Sequence, residues 1–176
     1  ANQVNLYNNW LATAGVTRGR VPNLKSLCQN VTNAIADSMQ PRDGIAINPI
    51  TNIKPYGLTI WGARTLKNNK YNGDLTATSF LNVRHICCEI KQQAYAAAKR
   101  MTFEPNSDIT WINFKALITP LLDRMISNNG IRGYKVTKLE TKAKGLLKCK
   151  IRIVPIEAVE DFDIVLELAD ELEVTE

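Results

Sequence analysis

Hydrophobic positions along the chain change their period, and the changes mark out its elements. From about Thr78 to Arg100, Phe80, Val83, Cys87, Ile90, Ala94 and Ala97 or Ala98 recur at three- and four-residue steps. That spacing predicts a helix with one apolar stripe, leaving Lys91, Lys99 and Arg100 off it. A second helix is predicted from Ser107 or Asp108, good N-cap residues ahead of Ile109, to about Asn129, with Gly130 closing it. Its apolar set of Ile109, Ile112, Leu117, Leu121, Leu122, Met125 and Ile126 predicts the core face, and Pro120 predicts a kink. Beyond Gly130 the pattern is that of strands, at Ile131–Leu139, Leu146–Val154 and Phe162–Leu168. In the middle one Leu147, Cys149, Ile151 and Ile153 alternate with Lys148, Lys150, Arg152 and Val154, so one side is strongly basic. A turn around Ala143-Lys144-Gly145 pairs the first two strands antiparallel.

Ahead of the helices the pattern is weaker. Residues 1–26 read as an extended segment anchored by Trp10. A short helix over 32–40 is stopped by Gln40-Pro41, because proline disfavours helical geometry in the residue before it. Gly44 to Ile50 reads as a strand that Pro49 ends or bulges. Tyr56 to Leu66 reads as a second, where Gly62 marks a bulge or a close backbone approach. Lys67 to Asp74 has turn chemistry. The fold class is α+β: a small mixed or antiparallel sheet packed with two long central helices, with extended N- and C-terminal segments. The expected divisions are the opening segment 1–26, a domain at 27–155 and an acidic arm at 156–176.

At 176 residues, 45% hydrophobic and 22% charged, the chain suits one globular domain with short arms. No run approaches the eighteen or more apolar residues of a membrane span, and no signal segment opens the chain. A soluble protein of the cytoplasm, or of a particle assembled there, is the expectation. The start at Ala1 without a methionine fits a processed or partial product of a longer gene.

Charge adds the most telling feature. From Ile153 to Glu176 there are nine acidic residues and no lysine or arginine, while all 22 basic residues and the other eight acidic ones precede, giving −9 against +14. The acidic strand thus suits a basic partner, and Lys148, Lys150 and Arg152 supply one. The linker Pro155–Glu160 spans at most about 20 Å, which reaches either the same molecule or a neighbour. Strand addition between molecules is favoured, since a detachable complementary strand is suited to an exposed sheet edge. Repeated head-to-tail, it makes a filament or stacked rings.

Catalytic chemistry finds little support. His85 is the single histidine, no nucleophile–base set can be assembled, and the glycines do not spell a phosphate loop. Adjacent Cys87 and Cys88 point about 100° apart on a helix, so free thiols are favoured over a metal site, and no cofactor is expected. The alternative function is nucleic-acid binding by the basic 131–154 hairpin. Against it, Tyr134 is the one aromatic there on which a base could stack.

The residues also resemble a family. Trp10–Gly19 (WLATAGVTRG), Ile45–Pro49 (IAINP), Gly57–Leu66 (GLTIWGARTL), Phe80–Arg84 (FLNVR) and Phe103–Trp111 (FEPNSDITW) stand in the order and rough spacing of the C-terminal part of contractile phage tail sheath proteins. The resemblance covers essentially residues 7–168, and His85 departs from it where the family more often has arginine. It implies the inner domain of a sheath subunit, without the N-terminal part of a full sheath protein. It further implies a virion component assembled in the host bacterial cytoplasm, polymerised around an inner tail tube and meeting baseplate and tail terminator proteins. Contraction of that lattice would drive the tube through a target envelope. The exchanged strand would be Phe162, Ile164, Val165, Leu166 and Leu168. Tube contact falls to Lys115 and Arg124 on the second helix, with Lys91 and Lys99 on the first as runner-up.

Overall fold

The computed structural model describes residue 8 and residues 10–40, 45–67, 75–141, 143–158 and 160. The strand expected at Phe162–Leu168 and most of the loop at 67–74 lie outside them. Along the chain, one two-stranded sheet precedes two long helices and another follows them. In order these are α1 (Gly15–Arg18), α2 (Asn33–Ser38), β1 (Ile50–Ile53), β2 (Gly57–Ile60), α3 (Leu81–Arg100), α4 (Asp108–Ser127), β3 (Ile131–Leu139) and β4 (Lys148–Pro155). The fold is α+β with two long helices and small antiparallel sheets.

β3 and β4 pair antiparallel, from Ile131 opposite Pro155 to Leu139 opposite Lys148, with an irregularity between Ile131 and Gly133. Their inner face, with α3 and α4, closes the main core around Trp10, Ile86, Ile90, Phe114, Ile118, Leu122, Met125 and Ile131. β1 pairs with β2, and the opening segment adds to β2 through the Arg20–Thr59 bridge and the Val21 N–H bond to the Leu58 carbonyl.

Several expectations are corrected here. The first long helix starts at Leu81, because a single 3₁₀ turn, Ala77–Ser79, precedes it, closed by reciprocal Thr76 and Ser79 capping bonds. Its innermost residue is Ile86, fully buried, and Cys87 is only half-buried. On α4 the core face is Phe114, Ile118, Leu122 and Met125, whereas Ile109, Ile112, Leu117 and Ile126 are exposed. Both sets repeat at helical spacing, so periodicity alone could not choose between them; contact with α3 and the hairpin does.

The Ser107 hydroxyl caps α4 by accepting from the Thr110 N–H, as its sequence position suggested. At the other end Asn129, not Gly130, takes the left-handed conformation, at φ +56°. Gly130 is required for closeness instead: a Cβ there would lie 2.8 Å from Trp10 Cγ. Gly62 is the close approach its sequence position suggested, since a Cβ would collide with the Gln40 side chain. The strand expected up to Pro49 begins after it, at Ile50, and that expected over 56–66 ends at Ile60. In both stretches side chains replace the ladder: Asn48 bonds the backbone N–H and carbonyl of Arg64, each at 2.9 Å.

Candidate functional site

Two features stand out, the exit of the acidic arm and the outer side of the hairpin. At the exit, the chain leaving β4 is fastened twice. The Ile156 N–H bonds the Gly130 carbonyl at 3.2 Å, and the buried Asn82 amide donates to the carbonyls of Ile156, at 3.1 Å, and Trp10, at 3.3 Å. Asn82 sits in the first turn of α3, so one side chain staples the incoming and outgoing segments to the same helix.

Four residues later the chain is fastened again. The Arg64 guanidinium, 7% exposed, grips the Glu160 carboxylate through Nε, at 3.0 and 3.1 Å, and Nη2, at 2.5 Å. Its Nη1 donates to the Gln40 carbonyl at 2.7 Å. A planar guanidinium fixes both the position and the orientation of a carboxylate in this way. Arg64 is itself immobilised by Asn48 and by a backbone bridge to Phe80, the N-cap of α3. A cavity of about 750 Å³ lies at this exit, lined in part by Trp10, Arg18, Gln40, Arg64, Asn82 and Glu160. The motif segments near Trp10, Pro49, Trp61 and Asn82 therefore meet where the arm begins.

The linker at 155–160 is therefore fastened to the body rather than free along its length. Both ends are bonded to the body, and only Asp161 separates Glu160 from Phe162.

The hairpin keeps the alternation of its sequence. Lys148, Lys150, Arg152 and Val154 are exposed, while Cys149, Ile151 and Ile153 are half-buried and pack on the core. The register sets Lys135 opposite Arg152 and Thr137 opposite Lys150, so basic side chains crowd the outer face. Like charges opposed across a ladder are destabilising, and this face favours an anionic partner. Among the described residues β4 has β3 as its sole strand neighbour. Beside β4 runs an apolar groove of about 490 Å³, walled by Cys87, Ile90, Tyr95, Phe114, Ile151 and Ile153.

Elsewhere the hairpin is tied to α4. Lys138 pairs with Asp108 at 2.7 Å and holds its carboxyl below the usual range, chiefly through the hydrogen bond and then through charge attraction. The Tyr134 hydroxyl donates to Asp123 at 2.6 Å, which pushes its pKa up, with burial adding to the effect. Burial alone raises the Cys149 thiol.

Of the four residues expected at a tube, Lys91, Lys99, Lys115 and Arg124 are all exposed, but they are not alike. Lys91 lies over the Tyr95 ring, 5.9 Å from its centroid, and Arg124 lies over the Trp10 ring at 5.7 Å. Sequence reasoning missed Arg64, Glu160 and Asn82. Their signal was faint: an arginine inside the WGARTL run, and a polar residue on an otherwise apolar helix start.

No protein-family model and no curated protein matches the chain. Solved structures do. A chain of an extracellular contractile injection system, the PVC sheath complex in its contracted state, superposes with a TM-score of 0.73 at 24% identity, over 97% of this chain and 48% of that one. A chain of the anti-feeding prophage (AFP) baseplate superposes with a TM-score of 0.76 at 22% identity, over the same shares. This chain thus spans about half the length of the solved chains it matches. Its fold is that of about half of a chain in the contractile injection system sheath complex.

Proposed function

We propose that this chain is a structural subunit of a contractile sheath, linked to copies of itself when residues 162–168 of one copy add to the β4 edge of the next. The observation that carries the reading is the composite character of that edge: an exposed row of Lys148, Lys150 and Arg152 above an apolar groove. The sequence of the strand answers both. Phe162, Ile164, Leu166 and Leu168 fall on one face, matching the groove, while Asp163, Val165 and Glu167 fall on the other, matching the basic row. Residues 27–155, together with the opening segment anchored by Trp10, would then form the inner domain and 156–176 the arm, with 156–160 as its fixed root.

In such a sheath the linkage must outlast rotation of the subunits. A paired strand provides this, since its hydrogen bonds, each about 0.5–1.5 kcal/mol net, must break together. Contacts to an inner tube must release instead. Exposed charges, worth about 0–1 kcal/mol per pair and screened by salt, suit that role. Among the described residues Lys99 and Lys115 carry no ion pair or ring contact, which leaves them better suited to it than Lys91 or Arg124. Baseplate and terminator proteins would meet the ends of the array.

Truncation after Glu160 tests the reading while sparing the Arg64 pair. The shortened chain is expected to fold and to fail to form tubes in electron micrographs; normal tubes would overturn the proposal. The basic row is also what a nucleic-acid reading would use. However, Tyr134 is partly buried and bonded to Asp123, so the hairpin offers no open aromatic platform. Assembly that does not depend on the arm, together with steep, salt-dependent nucleic-acid binding, would favour that reading.

A further inference from the structure

The corner around Arg64 exposes an unusual amount of apolar surface. Ile45 is 57% exposed, Ile47 58%, Trp61 43% and Leu66 75%. They stand on two extended segments knitted together: Asn48 bonds the backbone of Arg64, the Trp61 N–H bonds the Pro49 carbonyl, and the Gln40 amide bonds the Trp61 carbonyl. Ile45 and Ile47 flank the buried Ala46, so the alternation turns both outward. Apolar exposure gathered on two segments bonded to each other suits an interaction surface.

The arm says what comes there. Glu160 is locked to Arg64, and a chain extends at most about 3.6 Å per residue, so Phe162 begins within about 7 Å of Glu160. Whatever body holds residues 162–168 therefore begins close to Arg64, which stands between Trp61 and Leu66 in the chain. We propose that the corner formed by Ile45, Ile47, Trp61 and Leu66 is a docking surface for a second copy of this chain, the copy whose β4 edge takes the arm. The proposal rests on the strand-addition reading above and adds a second contact beside the strand. Apolar burial at the corner then limits how far the copies turn about the Arg64–Glu160 pair.

The test uses the full chain with Ile47→Lys and Leu66→Lys together, both at exposed positions. Their thermal unfolding as monomers should match the parent chain, while the concentration at which assembly begins rises at least about tenfold, as expected from losing two buried aliphatic contacts. A photocrosslinker at Ile47 in the otherwise unchanged chain gives a second measurement that does not depend on how the lysines are tolerated. Crosslinks from position 47 to another copy, distinguished by mixing isotopically light and heavy chains, support the surface. Assembly of the double variant at the parent concentration, or crosslinks confined to the same copy, overturns it.

A crosslinker at Leu166 separates the two ideas. If it reaches the hairpin of another copy while the double variant assembles normally, strand addition stands and the docking surface falls. If it reaches only its own hairpin, both fall.

Discussion

The Trp10 indole N–H donates to the Asn128 carbonyl at 3.0 Å, joining the start of the chain to the C-cap of α4. Trp10 is 3% exposed and belongs to the main core, and Gly130 is bare so that its ring can approach. The opening segment is therefore a structural part of the domain rather than a detachable arm from residue 10 onward. Packing should outweigh the hydrogen bond here. Trp10→Ala is expected to lower stability by about 3–5 kcal/mol. Trp10→Phe, which keeps much of the ring contact and loses the donor, should lose less. Urea unfolding of the two variants checks the order; equal losses would mean that the hydrogen bond dominates.

A second expectation concerns Arg64 and Glu160. Removing one partner of a buried pair strands the other charge, at a cost of about 3–5 kcal/mol, less where water can reach it. The Glu160 side chain is 20% exposed, so Glu160→Ala should fall toward the lower end of that range, whereas Lys138→Ala at the exposed pair with Asp108 should cost far less. The two also differ in salt: the exposed pair weakens as ionic strength rises and the buried one changes little. Proteolysis between residues 156 and 160 should accelerate in Glu160→Ala. An unchanged cleavage rate would show that the arm root is held without the pair.

How much of this was legible beforehand depends on the range of the interaction. The helices, the hairpin and its basic row follow from local rules: the Ser107 cap, the spacing of apolar residues and the alternation from Lys148 to Val154 all act within a few residues. The α4 core face was right at Leu122 and Met125 and wrong toward its N-terminus, because Ile109 and Ile112 are as apolar as Phe114 and Ile118, and only the packing partner distinguishes them. Arg64 and Glu160 lie 96 residues apart, beyond any periodicity. Their charges were visible, but nothing local set their pairing above the many other basic and acidic combinations.

Asp108 makes a prediction about acid stability. Its carboxyl is held below the ordinary value of 3.8 by the Lys138 hydrogen bond and charge, so the folded state binds its proton more weakly than the unfolded state does. The resulting stabilisation is fully present above the unfolded pKa and is lost as pH falls through the lower folded value. Titration of the Asp108 carboxyl by NMR should show the depressed midpoint, and Lys138→Met should return it toward 3.8. A midpoint unmoved by that substitution would assign the depression to the first turn of α4, whose dipole also favours an anion.

Cysteine reactivity gives a direct view of the groove. Cys28 and Cys88 are exposed, whereas Cys87 and Cys149 are partly buried and line the groove beside β4. The Cys149 pKa is raised by burial, so little of it is thiolate near neutral pH, and the thiolate is the reactive form. In the unassembled chain a thiol reagent should therefore modify Cys28 and Cys88 first and Cys149 slowly. In assembled material the proposed strand would seat Phe162, Ile164 and Leu166 over the groove, and modification of Cys87 and Cys149 should slow further while that of Cys28 does not. Mass spectrometry after brief labelling separates the four sites. Equal labelling of Cys149 before and after assembly would mean that the groove stays open, and the strand would have to be held by the basic row alone.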